Sequence, residues 1–299
     1  MKHVVVCHST VYGGAEAYLT RLYSMLAAQG QEAVLVGSIP TWSEAGLRVE
    51  NPHLSQKWVT STMASGLAKL PAERKRIAGL VDKEMPAGLF HVQFKREQIG
   101  LTDLLARKGP VVWTEHGRFL GGGKGALLAA GYRAAAHRAS AIICVSAEVA
   151  EDVRRVVGRK PLIEVIANSV DTDKMRPPTP AQRTMARLEL GLLPDEPVVL
   201  WIGRLHEGKK PELAIRLATS KKWQGSVLMA GEGPERSTIE RSGLESENLR
   251  VLGHVNDTTK LYQAADVVMF TSTGSEGYPT TTMLESGAFG VPMITNAGS

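Results

Sequence analysis

Short apolar runs of four or five residues recur along the chain, separated by longer stretches in which apolar residues return at helical spacing. Continuous apolar strands of this length are typical of parallel sheets covered by helices on both faces. The predicted strands are Val4–Cys7, Ala33–Val36, Phe90–Gln93, Val111–Thr114, Ile142–Ser146, Leu162–Ile166, Val198–Ile202, Val227–Ala230, Leu249–Leu252, Val267–Phe270 and Pro292–Thr295. Strand and crossover helix alternate in two series, which predicts an α/β protein with two facing, doubly wound, Rossmann-like domains.

A proline-rich segment interrupts the pattern between the two series. Residues 171–180 hold three prolines and no apolar period, and proline disfavours both helix interiors and central strands. We therefore predict domains at 1–175 and 176–299. Residues 40–89 carry no pattern that assigns elements. The second series ends after one more strand, without closing helices, so we expect this domain to be truncated at its C-terminus.

Composition limits the class of protein. The chain has 299 residues, of which 43% are hydrophobic and 22% charged, as in ordinary soluble proteins. It lacks the run of about eighteen apolar residues that a membrane span needs, and its N-terminal apolar run is too short for a secretory signal. The two cysteines, Cys7 and Cys144, lie in predicted strands, so we expect buried free thiols in a reducing, cytoplasmic setting.

The net charge of +5 is unevenly distributed. Residues 1–160 hold 21 Lys and Arg against 13 Asp and Glu, a balance of +8, whereas residues 161–299 hold 14 against 17, a balance of −3. The basic half predicts peripheral contact with an anionic membrane surface, although a solvated basic face explains the same charges. Nucleic acid is a weaker candidate, because aromatic residues make up only 5% of the chain.

Two glycine-containing loops after predicted strands are suited to binding an anion. Gly13 and Gly14 precede the first helix, where glycine lets the backbone approach a ligand and the helix N-terminus favours negative charge. Arg204 and Lys209 follow the first strand of the second series and provide two cations for a diphosphate. Taken singly, a tight turn and a solvated basic loop are the alternative interpretations.

Two further loops carry groups suited to a sugar nucleotide. Residues 274–285 join a buried strand to a helix, where Thr281 provides a hydroxyl for phosphate oxygens and Glu285 a carboxylate for two ribose hydroxyls. His116 follows an earlier strand and is suited to orienting a hydroxyl or stabilising developing charge. A capped helix and a structural histidine are the alternatives.

Other chemistries lack support in the sequence. Asp171-Thr172-Asp173 has the Asp-x-Asp form of a metal site, but it lies in the boundary segment away from any predicted strand end. There is no cysteine–histidine cluster with zinc spacing, no phosphate-binding P-loop and no Gly-x-Gly-x-x-Gly fingerprint. We therefore predict no metal and no cofactor, with the nucleotide sugar bound as a substrate.

Taken together, these segments resemble glycosyltransferase family 4, whose members have the GT-B fold. The matching segments, in chain order, are Gly13-Gly14-Ala15-Glu16, Thr114-Glu115-His116, Val145-Ser146, Ile166-Ala167-Asn168-Ser169-Val170-Asp171, Gly203-Arg204-Leu205 with Lys209, Gly231-Glu232-Gly233-Pro234, Leu252-Gly253-His254-Val255, Ala265-Asp266, and Glu276-Gly277-Tyr278-Pro279 through Glu285 to Gly290-Val291-Pro292. No single match is decisive, but the ordered set at these spacings is specific.

The resemblance implies a retaining, metal-independent transfer of a sugar from a nucleoside diphosphate sugar to an acceptor bound by the first domain. The implied donor-binding residues are Gly13, Gly14, Arg204, Lys209, Val255, Gly277, Tyr278, Pro279, Thr281 and Glu285. The implied catalytic residues are His116, Arg204, Lys209 and Glu276. The acceptor it implies is a glycan or a lipid-linked intermediate of cell-surface polysaccharide synthesis.

Three features depart from the family pattern. Eight residues separate Glu276 from Glu285 where the family has seven, which makes Glu285 the firmer assignment. The segment before the domain boundary is Ala167-Asn168-Ser169, where the family has Pro-Asn-Gly. The helices that close the second domain in the family have no counterpart in this sequence. Two other interpretations stay open: a nucleotide-sugar epimerase or phosphorylase of the same fold, and a basic protein that binds RNA or a membrane without catalysis.

Overall fold

The computed structural model describes residues 1–10, 13–51, 54, 63–117, 126–158, 160–243, 246–273 and 278–296. The chain divides into two compact units, Met1–Ala167 and Asn168–Ser299. The predicted boundary at residue 175 therefore falls a few residues inside the second unit. None of the helices in the described ranges is long and apolar enough to cross a bilayer.

The first unit is a parallel sheet with helices between its strands. Its strands are β1 (Lys2–His8), β2 (Glu32–Ser38), β3 (Arg48–Glu50), β4 (Leu89–Val92), β5 (Val111–Glu115), β6 (Ala141–Cys144) and β7 (Leu162–Val165). Its helices are α1 (Gly14–Ala28), α2 (Met63–Lys83), α3 (Lys95–Leu105), α4 (Ala126–Ala136) and α5 (Ala147–Val157). The strand order is β3-β2-β1-β4-β5-β6-β7, and each of the recorded strand pairs is parallel.

The second unit repeats this plan with a smaller sheet. Its strands are β8 (Val198–Ile202), β9 (Ser226–Ala230), β10 (Leu249–Gly253), β11 (Val267–Phe270) and β12 (Met293–Thr295). Its helices are α6 (Pro180–Glu189), α7 (Glu212–Ala218), α8 (Arg236–Gly243), α9 (Thr259–Ala264) and α10 (Thr281–Phe289). The order is β10-β9-β8-β11-β12, again with parallel pairs.

The central strands are buried on both faces, which explains why they read as continuous apolar runs. Along β1, Val4 and Val6 belong to one hydrophobic cluster, whereas Val5 and Cys7 belong to the cluster on the opposite face. In β8 the residues of one face, such as Leu200, likewise join a different cluster from those of the other. Both cysteines are buried and form no disulfide bond, as predicted.

Every predicted strand overlaps a strand of the structure, whereas β3 and α2 were not predicted. Strand β3 has only three residues and lies at the sheet edge, so it shows no alternation to detect. Helix α2 contains Pro71 and Gly79, residues that disfavour a helical assignment from sequence. Both elements lie in residues 40–89, where the pattern assigned nothing.

Candidate functional site

Each sheet reverses its strand order once, and the loops that carry the predicted residues leave strands beside that reversal. In the first unit the reversal lies between β1 and β4, and in the second between β8 and β11. Doubly wound sheets bind ligands in the crevice beyond the carboxyl ends of the strands at this point. Gly13 follows β1, whereas Arg204 and Lys209 follow β8. Topology alone therefore predicts that a ligand would bind at these loops.

The Arg204 loop is held by close backbone contacts that require glycine. The Leu205 amide donates to the Glu232 carbonyl at 2.9 Å. A β-carbon at Gly233 would lie 2.1 Å from the Leu205 carbonyl oxygen, and one at Gly231 would lie 1.8 Å from that of Gly203. Any side chain at either glycine would therefore push the two loops apart. The Arg204 side chain itself is exposed beyond the end of β8.

Lys209 lies at the end of a short 3-10 turn, Glu207–Lys209, that follows the Arg204 loop. A β-carbon at Gly203 would be 4.0 Å from Lys209 Cδ, so the lysine side chain turns back over the residue before Arg204. Its Nζ lies 5.6 Å from the centre of the Phe270 ring, at the end of β11. The Lys209 side chain thus lies at the β8–β11 crevice, over the residue that precedes Arg204.

The segment that enters α10 lies against the same phenylalanine. The Tyr278 ring contacts Phe270 edge-on at 6.4 Å between ring centres, and the Pro279 carbonyl accepts a hydrogen bond from Asn168 Nδ2 at 2.9 Å. Thr280 caps the helix by accepting from the Met283 amide, and Thr281 is the first helical residue. A capped helix N-terminus of this kind favours a bound anion.

Glu285 is half-buried in α10 and lies beside the hydroxyl of buried Tyr262. Burial, and then the negative charge of Glu285, raise the pKa of Tyr262. The Tyr262 ring stacks on Phe289 with centres 5.1 Å apart, and Val255 packs against the hydrophobic cluster that contains both rings. The carboxylate predicted for ribose and the residue predicted for the base are therefore neighbours of one cluster.

Glu232 is a residue to which sequence reasoning gave no role. Its Oε1 accepts the His254 amide at 3.1 Å and also pairs with Arg236. The Gly231 amide donates to the Gly253 carbonyl at 2.7 Å, and Gly253 itself has φ +68°. These contacts fix the loop that leads to Val255. The Gly-Glu-Gly-Pro motif was visible in the sequence, but the partner of its glutamate was not.

In the first unit, Gln93 connects the start of helix α1 to His116, which follows β5. Gln93 Nε2 donates to the Ala15 carbonyl at 3.1 Å, so its oxygen faces His116, whose Nε2 is 3.0 Å away. His116 Nε2 is therefore the nitrogen that carries the proton. The His116 ring meets the Tyr18 ring edge-on at 5.0 Å. Gly14 begins α1 one residue before Ala15, so the glycine turn and His116 lie close together.

Charged side chains at the carboxyl ends of the strands in the first sheet form ion pairs with one another. Lys95 Nζ contacts Glu115 Oε2 at 2.5 Å. The buried side chains of Arg96 and Glu97 pair with each other, and Glu97 also accepts the His8 amide at 2.9 Å. The ends of β1, β5 and α3 are thereby tied together at the point where the strand order reverses.

A buried histidine lies on β4, next to the strand that leads to His116. His91 on β4 bonds to the Tyr23 hydroxyl through Nδ1 and to Thr114 Oγ1 through Nε2, both at 2.8 Å. Burial, and then the charge of nearby His3, lower the pKa of His91 to about 4. His91 is therefore neutral at physiological pH, and it links helix α1 to strand β5, which ends beside His116.

Two predicted site residues lie outside the described residues. These are Glu276 and Gly277. Asp171, from the Asp-x-Asp pattern, accepts the amides of Asp173 and Lys174 at 3.1 and 3.3 Å, as expected of a residue that caps a turn. Among the residues the structure describes, no group of three or more metal-ligating side chains converges.

Two parallel, doubly wound units with candidate ligand-binding loops at the carboxyl ends of their strands define a protein of the GT-B class. The profile of Glycosyltransferase Family 4 matches residues 12–174, and that of Glycosyl transferases group 1 matches residues 196–298. The first match alone spans more than half of the 299 residues, and the chain belongs to glycosyltransferase family 4.

Individual relatives agree with this membership. A D-inositol 3-phosphate glycosyltransferase of Nocardia farcinica is 30% identical over 168 residues, which are 50% of this chain and 36% of that relative. HepE of Anabaena, solved with UDP and glucose, superposes with a TM-score of 0.77 at 21% identity, covering 100% of this chain and 81% of that one. Sucrose-phosphate synthase of Thermosynechococcus elongatus gives 0.77 at 17% identity, covering 99% and 81%. The curated match thus spans about a third of its relative, and the structural similarities establish the fold.

Proposed function

We propose that this protein transfers a sugar from a nucleoside diphosphate sugar to an acceptor hydroxyl, with retention of anomeric configuration and without a metal. The observation that carries the proposal is that the Lys209 side chain lies over Gly203, the neighbour of Arg204, at the β8–β11 crevice and beside the segment that starts α10. Two cations and a helix N-terminus suit a diphosphate better than any neutral ligand.

The proposed chemistry follows from where charge develops. As the bond between the sugar and the diphosphate breaks, negative charge grows on the leaving phosphate oxygens. Arg204 and Lys209 are proposed to stabilise this charge, which a metal ion does in other transferases. Glu285 is proposed to accept hydrogen bonds from the ribose hydroxyls, and the backbone near Val255 to contact the base. Their common cluster around Tyr262 supports this assignment.

The acceptor side of the reaction is proposed for the first unit. His116 Nε2 lies 3.0 Å from Gln93 Oε1, and this hydrogen bond orients the ring. We propose that His116 orients the acceptor or the transferred sugar. The proposed acceptor is a glycan or a lipid-linked intermediate of cell-surface polysaccharide synthesis, reached through contact of the basic first half with an anionic membrane.

The donor is tested first. A thermal-shift panel of UDP-, GDP- and ADP-sugars identifies the base, and transfer is then followed by mass spectrometry and by NMR of the anomeric proton. D-inositol 3-phosphate belongs among the acceptor probes because the Nocardia relative is named for it. Stabilisation by one nucleotide class and a retained anomer are expected. Conversion of the donor sugar without any acceptor would indicate an epimerase instead, and salt-sensitive RNA binding without nucleotide-sugar binding would contradict the enzyme assignment.

Two charge-removing variants test whether Arg204 and Lys209 bind the diphosphate, a pair called the clamp below. Arg204→Ala and Lys209→Ala are each expected to lower turnover on the order of 100-fold, as for loss of one charge-stabilising group. Lys222→Ala is the matched control, because Lys222 is an exposed lysine of the same unit in the turn before β9, at the opposite edge of the sheet. Near-normal turnover in both site variants would contradict the clamp.

A further inference from the structure

The turn that carries Lys209 has a backbone that needs external support. The turn ends at Lys210, which has φ +46°, a left-handed conformation that costs energy for any residue other than glycine. Within the turn, the Lys209 amide donates to the His206 carbonyl at 2.8 Å, and the Gly208 amide donates to His206 Nδ1 at 3.0 Å. Such a short turn does not fix the position of Lys209 by itself.

Thr271, the first residue after β11, provides that support. Its hydroxyl lies 2.5 Å from the Lys209 carbonyl oxygen and 3.2 Å from that of Lys210. The indole N–H of Trp201 donates to the same hydroxyl at 2.9 Å. Since a hydroxyl has one proton, it accepts from Trp201 and donates to the nearer carbonyl, that of Lys209. Thr271 and Trp201 are only 5% and 2% exposed, so water does not replace either bond.

Thr273 adds a second attachment between the same two segments. Its amide and its hydroxyl both donate to the Gly208 carbonyl, at 3.0 and 3.1 Å. The segment 271–273 therefore holds the Lys209 turn from the β11 side, while Trp201 holds Thr271 from the β8 side. These are the two strands that border the reversal of strand order.

We propose that Thr271 is a positioning residue that sets the place of Lys209 for the diphosphate. This inference rests on the proposed function, because it gives Lys209 its role there. Removing the Thr271 hydroxyl takes this partner from the buried indole N–H of Trp201 and from the Lys209 carbonyl, and the turn then shifts to compensate. A lysine displaced by about 1 Å loses much of its contact with a bound phosphate.

The test uses inorganic pyrophosphate as the probe, titrated calorimetrically into the full chain, since pyrophosphate presents the diphosphate without a base or sugar. Thr271→Val is expected to weaken pyrophosphate binding about tenfold. Thr271→Ser, which keeps the hydroxyl, is expected to stay within about threefold of the unchanged protein. Thr219→Val is the matched control, because the exposed Thr219 hydroxyl also donates to a carbonyl, that of Ile215 at 3.0 Å.

A double variant separates positioning from general destabilisation. In a Lys209→Ala background, Thr271→Val is expected to weaken binding less than twofold further, because the group it positions is already gone. Unchanged binding by Thr271→Val, or losses that multiply in the double variant, would overturn the proposal. Thr271→Ala replaces the valine variant if the latter melts early, and the same outcomes apply to it.

The same titrations distinguish a wrong role for Lys209 from a wrong role for Thr271. If Lys209→Ala binds pyrophosphate as tightly as the unchanged protein, or if the unchanged protein does not bind it, the proposed clamp is wrong and this inference fails with it. If Lys209→Ala weakens binding and Thr271→Val does not, the clamp stands and only the role of Thr271 is refuted.

Discussion

The buried His91 should lower the unfolding free energy of the first unit at acidic pH, and the substitution His91→Gln should remove this pH dependence. In the folded protein its pKa is lowered to about 4 from the ordinary value of 6.5. The unfolded chain therefore takes up a proton below pH 6.5 while the folded chain does not. The stability that comes from keeping His91 neutral is fully present above pH 6.5 and is lost as the pH falls toward 4.

The magnitude follows from linkage between protonation and folding. With these two pKa values, the loss of unfolding free energy relative to neutral pH is about 2 kcal/mol at pH 5 and about 3 kcal/mol at pH 4. His91 is 3% exposed and bonds to Tyr23 and Thr114, so a proton taken up there would have little contact with water. The loss is a substantial fraction of the stability of an ordinary domain.

The variant His91→Gln is neutral at every pH and isolates this effect. We expect it to be less stable than the unchanged protein at pH 7, because the bonds to Tyr23 and Thr114 are altered, and the difference should shrink by about 2 kcal/mol at pH 5. Hydrogen exchange of the β4 and β5 amides measures opening of the first unit, after correction for the intrinsic rate at each pH.

A matched substitution supplies the control. His137 is exposed, so His137→Gln should leave the pH dependence of the β4 and β5 amides as it is in the unchanged protein. If the free-energy difference between the unchanged protein and His91→Gln is the same at pH 7 and pH 5, the neutral, buried state of His91 is refuted.

The other predictions concern Glu285 and Gly233 in the second unit, and Gly79 in the first unit. Glu285→Gln should weaken UDP about tenfold and 2′-deoxy-UDP much less in calorimetric titrations, because a charge-assisted bond to the ribose is lost; equal losses for both would contradict a ribose contact. Gly233→Ala should displace the Arg204 loop and lower both the melting temperature and nucleotide affinity, since its β-carbon would lie 2.1 Å from the Leu205 carbonyl oxygen. Gly79→Ala, in α2 with nothing within 4 Å of the added carbon, should instead leave affinity unchanged and add about 0.5–1 kcal/mol of stability.

Much of the donor crevice was accessible from the sequence because its signals are local. Arg204 and Lys209 follow a recognisable strand, and Thr281 begins a helix four residues before Glu285, so residue type and strand position together indicated phosphate and ribose contacts. The structure places Lys209 over the residue before Arg204 and sets Glu285 beside the cluster that Val255 packs on. The roles of these residues in binding a donor stay predictions.

The residues that sequence reasoning missed act through partners far away in the chain. Gln93 contacts Ala15 and His116, Thr271 contacts Trp201 and Lys209, and Glu232 contacts the loop after β10. A single glutamine, threonine or glutamate carries no periodic or spacing signal. Its importance depends on which atoms lie within about 3 Å, a property that only the assembled sheet creates.

The sequence by itself determined the two parallel α/β units and their family, because buried strands need apolar residues on both faces and tight loops need glycine at fixed places. The tertiary structure decided which loops meet. Strand order β10-β9-β8-β11-β12 puts the β8 and β11 loops side by side, although about 70 residues separate Trp201 from Thr271. Hydrophobic burial is a property of each segment and can be read along the chain, whereas the pairing of polar groups depends on distances between segments that folding alone sets.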